Sequence, residues 1–169
     1  MEPKAEILEL PPAYGKPSKP LKWKAVRELL EKAPNYWFTA VRRSGQPHVV
    51  PRDGVWLDDA CYYGGDPTTV HSRIIQRNPS VTMHIGDGIS AVIVEGKVTR
   101  VKPDRQLAEA LASGAEKYKH YGYNMSAEQY MALEINALRA DKILAWTNLP
   151  VNATRFRFER VTQPNKLSP

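Results

Sequence analysis

Cysteine is nearly absent from this chain: Cys61 stands alone among 169 residues. A lone thiol excludes an internal disulfide framework and a zinc site built on cysteine pairs. Long apolar runs are missing as well. None reaches the ~18 residues that a membrane-spanning helix needs, so no membrane association is expected. The first residues lack the apolar stretch of a signal peptide, and the expected location is the cytoplasm. Neither a dinucleotide-binding glycine fingerprint, a phosphate loop nor a nucleophile elbow occurs. His48, His71, His84 and His120 show no metal-ligand spacing with another His, a Cys or an acid, so no metal is expected. No segment repeats another.

What is present describes one globular domain. Hydrophobic residues make up 42% and charged residues 25% of the chain, enough to bury a core without a disulfide or metal staple. The formal net charge is +6, which raises the question of an anionic partner. Residues 1–24 hold five Lys against three Glu, and residues 151–169 hold four basic residues against Glu159 alone. The body between them holds fifteen basic and fourteen acidic residues. The excess therefore lies at the chain ends and not in a stripe. Nucleic-acid binding needs clustered cations, so it is not expected.

The order of elements points to a mainly β fold. Pro3, Pro11, Pro12, Pro17 and Pro20 make residues 1–20 an extended arm. Ile7, Leu8 and Leu10 on that arm suit packing on a partner subunit. Trp23, Val26, Leu29 and Leu30 recur at helical spacing until Pro34. Strands are expected over 36–43, 48–57 and 60–63, the second interrupted by Pro51 and Gly54. A helix from about Asp66 to Arg77 follows, then strands over 81–85 and 89–101. A helix is expected over 103–119, and Ser126 with Gln129 has capping-box spacing for a short one. Leu133, Ile135 and Ala137 alternate as a strand, Asp141 turns the chain into 143–147, and Thr154, Phe156 and Phe158 form the last strand. Eight short strands with helices outside them suggest an antiparallel β-barrel with peripheral helices. The domain is expected over 21–162, with residues 163–169 as a tail.

One junction carries possible ligand chemistry. Gly64-Gly65-Asp66-Pro67-Thr68-Thr69-Val70-His71-Ser72-Arg73 joins a strand to a helix. Free amides and the positive helix end meet hydroxyls from Thr68, Thr69 and Ser72 and the cation of Arg73, with His71 beside them. That is a phosphate cradle or an ordinary capped junction. Trp37, Trp56, Tyr62 and Tyr63 lie in strands and are expected to pack in the core, ahead of the alternative of stacking on a ring. Arg155 and Arg157 share a strand face, either solvated or turned to an anionic cofactor or the dimer partner.

The run Phe38-Thr39-Ala40-Val41, then Ser44-Gly45-Gln46-Pro47-His48-Val49-Val50-Pro51 and Gly54-Val55-Trp56-Leu57-Asp58, leads into this junction. Together with Arg77-Asn78-Pro79 and Val94-Glu95-Gly96-Lys97-Val98, it resembles the pyridoxamine 5′-phosphate oxidase-like split-barrel family over about residues 35–160. Ala145-Trp146-Thr147 and Ala153-Thr154-Arg155-Phe156-Arg157-Phe158 are similar to the tail of its flavin and deazaflavin branch. The resemblance implies a split β-barrel of the Greek-key, FMN-binding type with six strands, assembled as a homodimer. It implies an oxidoreductase that uses FMN or coenzyme F-420, the deazaflavin ahead of FMN and haem behind both. Hydride transfer between the cofactor ring and a small organic substrate is the chemistry implied. The alternative is a non-catalytic flavin- or haem-binding module.

By the same resemblance, the strand with His48, Val50, Pro51 and Arg52 lines the ring. Thr68, Thr69, His71, Ser72 and Arg73 hold the phosphate, and Trp146 reaches the cofactor from the other subunit. One departure stands out. The family's helix start reads Thr-Arg-Lys-Ala-Arg, and here those positions are Thr69, Val70, His71, Ser72 and Arg73. The basic pair is gone, and Arg52 stands where a small apolar residue is common. It either compensates or narrows the groove.

Overall fold

The computed structural model describes residues 2–123 and 125–158. Nine strands form one antiparallel sheet in it. The order of elements is β1 (Lys4–Ile7), α1 (Trp23–Lys32), β2 (Tyr36–Val41), β3 (Pro47–Arg52), β4 (Val55–Leu57) and β5 (Ala60–Tyr63). Then come α2 (Val70–Arg77), β6 (Ser80–Gly86), β7 (Ala91–Val101), α3 (Arg105–Gly114), α4 (Ala127–Ala132), β8 (Ile135–Trp146) and β9 (Thr154–Arg157). The sheet order is β1-β9-β8-β7-β6-β2-β3, with β5 joining β8 and carrying β4. This is the mainly β, split-barrel architecture expected, with nine strands in place of six or eight. Among the described residues no helix is long and apolar enough to cross a membrane.

Local chemistry sets the strand joins. Gly45, at φ 85°, closes the β2–β3 hairpin, and its N–H donates to Arg42 O. Asp58 and Asp59 both adopt positive φ, 47° and 58°, in the two-residue turn between β4 and β5. Short polar side chains tolerate that geometry, and its twist matches the flanking strands. The expected strand over 48–57 is two strands. β3 pairs with β2, the chain leaves the sheet at Asp53-Gly54, and β4 pairs with β5. The expected helix over 103–119 ends as α-helix at Gly114 and continues as a 3-10 segment, Ala115–Tyr121.

β8 holds the split. Its first half, Asn136–Arg139, pairs with β5, and its second half, Lys142–Ala145, pairs with β9. β7 runs beside both halves. No turn occurs at Asp141. Glu95 faces Lys142 while Gly96 faces Ala140, so Asp141 is the extra residue of a β-bulge. A bulge bends a strand without ending it. Gly96 permits the bend: a Cβ there would lie 1.9 Å from Arg139 O. At the other sheet edge, β1 pairs with β9 of its own chain, and Ser18 N–H donates to Val151 O. Residues 4–7 of the proline-rich arm thus add a strand. The expected tail, residues 163–169, lies outside the described residues.

The main core lies between α1 and the concave sheet face. Trp23, Val26 and Leu30 of α1 meet Tyr36, Phe38, Met83, Val94, Ile143 and Phe156. Burying such side chains contributes about 1.5–3 kcal/mol each. A second cluster packs α3 and the 3-10 segment on β4, β5 and β8 through Val55, Tyr62, Leu111, Tyr118 and Ile135. Trp56, Tyr62 and Tyr63 are buried core residues as expected, whereas Trp37 is 40% exposed. The register explains this. Tyr36, Phe38 and Ala40 of β2 point inward, and Trp37 and Val41 point out.

Candidate functional site

β3 is the last strand of its sheet edge, paired among the described residues with β2 alone. Its alternation leaves His48, Val50 and Arg52 half-buried and Pro47, Val49 and Pro51 exposed. The inward set faces the junction that leads into α2, and there the candidate residues divide into three groups.

The first group is used by the fold. Asp66 Oδ1 accepts from Thr68 N at 2.7 Å and from the Thr68 hydroxyl. These bonds hold the Asp66 carboxyl below its usual pKa. Thr69 caps α2: its Oγ1 accepts from Ser72 N at 3.3 Å and lies 2.9 Å from Ser72 Oγ. Both threonine hydroxyls therefore serve the turn and the cap, and a carboxylate stands at the helix start.

The second group is a buried polar cluster around Gly65. His71, 1% exposed, places Nε2 3.0 Å from Tyr63 Oη, and its Nδ1 has no hydrogen-bond partner. Burial, helped by Arg52 and His48, pushes its pKa down to about 4, so it is neutral at neutral pH. Arg52 reaches in from β3, donates from Nη1 to Gly64 O at 3.3 Å, and leaves a buried Nε without a partner. A Cβ on Gly65 would lie 3.1 Å from Arg52 Nη1 and 3.5 Å from Ser72 Oγ. His48 joins at the rim, its ring centroid 6.4 Å from that of His71. Burial first, then Arg42 and Arg52, lowers the His48 pKa. Val50 lies between His48 and Arg52 and packs on the core.

The third group lies apart. Arg73 is exposed and lines an open groove of about 840 Å³. Trp146 ends β8, donates from Nε1 to Gly88 O at 3.1 Å, and is separated from β3 by β7, β6 and β2. It does not touch the cluster within one chain. Arg157 pairs with Glu6 at 3.3 Å, and the buried Nε of Arg155 has no partner.

Two cavities that the sequence did not announce flank β3. At its hairpin end, Arg42 and Arg43 join Arg73 and Arg77 around the 840 Å³ groove. At its other end, Asp53 and tyrosines 62, 63, 118, 123 and 130 line a cleft of about 190 Å³. That cleft adjoins a wider opening beside Pro51, Arg52 and Tyr121. The visible signals were the Arg42-Arg43 pair and the four-residue spacing of Arg73 and Arg77. Nothing in the sequence says that the hairpin and the helix face each other. Among the described residues no three His, Cys, Asp or Glu side chains gather as a metal site would require.

The family model of pyridoxamine 5′-phosphate oxidase matches residues 23–143. No curated protein matches the chain. Among solved structures, an FAD-binding protein from Mesorhizobium loti is 17% identical, with a TM-score of 0.56 over 82% of this chain and 96% of its own. An F-420 reductase is 22% identical, with a TM-score of 0.54 over 69% and 94%. A haem-binding protein from Mycobacterium smegmatis is 14% identical, with a TM-score of 0.57 over 73% and 53%. At these identities the likeness is one of fold.

Proposed function

This chain belongs to the pyridoxamine 5′-phosphate oxidase family, and from that premise we propose that it is a cytoplasmic, homodimeric oxidoreductase using FMN or coenzyme F-420. The observation that carries the reading is two buried nitrogens at this junction, Arg52 Nε and His71 Nδ1, which have no hydrogen-bond partner among the described residues. Buried polar atoms left unpaired are costly, so a ligand's polar groups complete them. Arg52 supplies the fixed charge that Val70 and His71 do not, and neutral His71 and Ser72 supply hydrogen bonds. The open edge of β3 from His48 to Arg52 offers backbone groups to a flat ring. The exposed apolar side chains Trp37 and Val49 on the outer sheet face support burial against a second copy, which brings its own Trp146 to the cofactor. The bound ring supplies hydride transfer to or from a small organic substrate. This chain supplies position and electrostatics.

A second reading, a non-catalytic flavin- or haem-binding module, is favoured by one observation. His48 is half-buried at the same edge, and its lowered pKa keeps the imidazole in the neutral form that ligates iron. One experiment separates the two. The purified protein is titrated with FMN, F-420 and haem by absorbance, with its mass followed by sedimentation. Micromolar or tighter binding of FMN or F-420 to a dimer is expected. Binding of haem alone favours the module, and binding of none of the three overturns both.

A further inference from the structure

We infer that the groove between the β2–β3 hairpin and α2 is a binding site for a small ligand carrying a diphosphate group. Arg42 and Arg43 enter it from the hairpin, Arg73 and Arg77 from α2, and Ser44 and Asn78 complete its polar rim. No carboxylate lines the groove. The arginines that pair with acids among the described residues, Arg27, Arg100, Arg105 and Arg157, lie elsewhere.

The fold does not need this arrangement. All four side chains are exposed. Arg73 and Arg77 stand four residues apart on one helix, a like-charge pair that weakens it. Arg77, in the last turn of α2, suits the helix dipole, but Arg73, in the first turn, does not. Among the described residues the one side-chain hydrogen bond of these guanidinium groups is Arg42 Nη2 with His48 Nδ1, at 3.3 Å. Four cations bordering one groove, with no acid in its lining to offset them, match an anion from outside.

The groove also indicates which anion. Guanidinium forks bind phosphate oxygens in pairs, and four guanidinium charges exceed the roughly two negative charges of one phosphate. The volume of about 840 Å³ is far larger than a single phosphate. Val41, Val70 and Ile74 supply an apolar wall for the organic part of the ligand. No aromatic side chain lines it, so the stacking platform that single-stranded nucleic acid uses is missing. This site stands whichever ring binds along β3.

Calorimetric titration with inorganic pyrophosphate tests it. The wild type is expected to bind one pyrophosphate per chain. Arg42→Gln/Arg43→Gln and Arg73→Gln/Arg77→Gln are each expected to weaken binding by about tenfold or more, since charge-assisted bidentate bonds are lost. Circular dichroism and the melting curve stay those of the wild type. Inorganic phosphate and citrate are expected to bind at least about tenfold more weakly than pyrophosphate. No saturable pyrophosphate binding, equal binding by citrate, or unchanged affinity in both double variants overturns the inference. So does a single-stranded oligonucleotide whose affinity grows with its length and outcompetes pyrophosphate. Loss of FMN and F-420 binding with pyrophosphate binding intact leaves this site standing and removes only the cofactor reading.

Discussion

At one end of β3 the fold gathers guanidinium groups, and at the other it gathers phenols. The strand between them spans about 20 Å at ~3.3 Å per residue. The two ends differ in what the fold asks of them. In the tyrosine cleft, the buried Tyr118 hydroxyl donates to Gly54 O at 2.8 Å and accepts from Gly54 N at 3.0 Å. Nearby, Lys117 Nζ donates to Tyr36 Oη and Glu31 O, each at 3.0 Å. Burial lowers the Lys117 pKa to about 8. In the arginine groove all four guanidinium groups face water. The cleft is therefore polar chemistry spent on holding β3, β4 and the 3-10 segment together. The groove is polar chemistry the fold leaves available.

The largest effect follows from the cleft. Tyr118→Phe keeps the ring and removes the one hydroxyl that satisfies both backbone groups of buried Gly54. Each group then stays dry and unpaired, at about 1–3 kcal/mol. The expected loss is about 3 kcal/mol in urea unfolding, with the m-value unchanged. A loss below about 1 kcal/mol would show that water takes the place of the hydroxyl, and the contrast between the two ends would narrow.

Between the ends lies His71, and its effect is read through pH. Its folded pKa of about 4 is below the unfolded value, so between the two the unfolded chain binds the extra proton. Stability from this group is full above about pH 6.5 and is lost as pH falls toward 4. Arg52 and His48 add to the cost of protonation there. His71→Gln keeps a polar atom for Tyr63 and cannot take up the proton. Its melting temperature is expected to fall less than that of the wild type between pH 7 and 4.5. Parallel curves would place the acid sensitivity elsewhere.

Local patterns made the scaffold legible. The strands expected over 36–43 and 81–85, the Ser126–Gln129 capping box and the Asp58-Asp59 turn all appear in the structure, the first strand ending at Val41, because each is decided by neighbours in sequence. The bulge at Asp141 was not legible. An acid in a strand reads as a turn until the partner glycine, Gly96, is known to lie across from it. The candidate site was legible in part. The structure brings Arg52 and Ser72 to Gly65 and His48 to within 6.4 Å of His71, ring centroid to centroid, while Trp146 stays remote. The groove was invisible for a physical reason. Residues 25–150 are nearly neutral in sum, and summed charge says nothing about which arginines a hairpin and a helix bring face to face.

The smallest effect is expected at the arginines themselves, in stability. Replacing Arg42 and Arg43, or Arg73 and Arg77, by Gln removes no buried contact and breaks no ion pair seen among the described residues. It relieves like-charge repulsion, which is worth a few tenths of a kcal/mol per pair at i, i+4 and fades with salt. Each double variant is therefore expected to unfold within about 0.5 kcal/mol of the wild type, with any gain larger at low ionic strength. If instead either variant loses more than about 1 kcal/mol, the arginine stems are packing the hairpin onto α2. Both ends of β3 would then be structural, and the contrast drawn between them would fail.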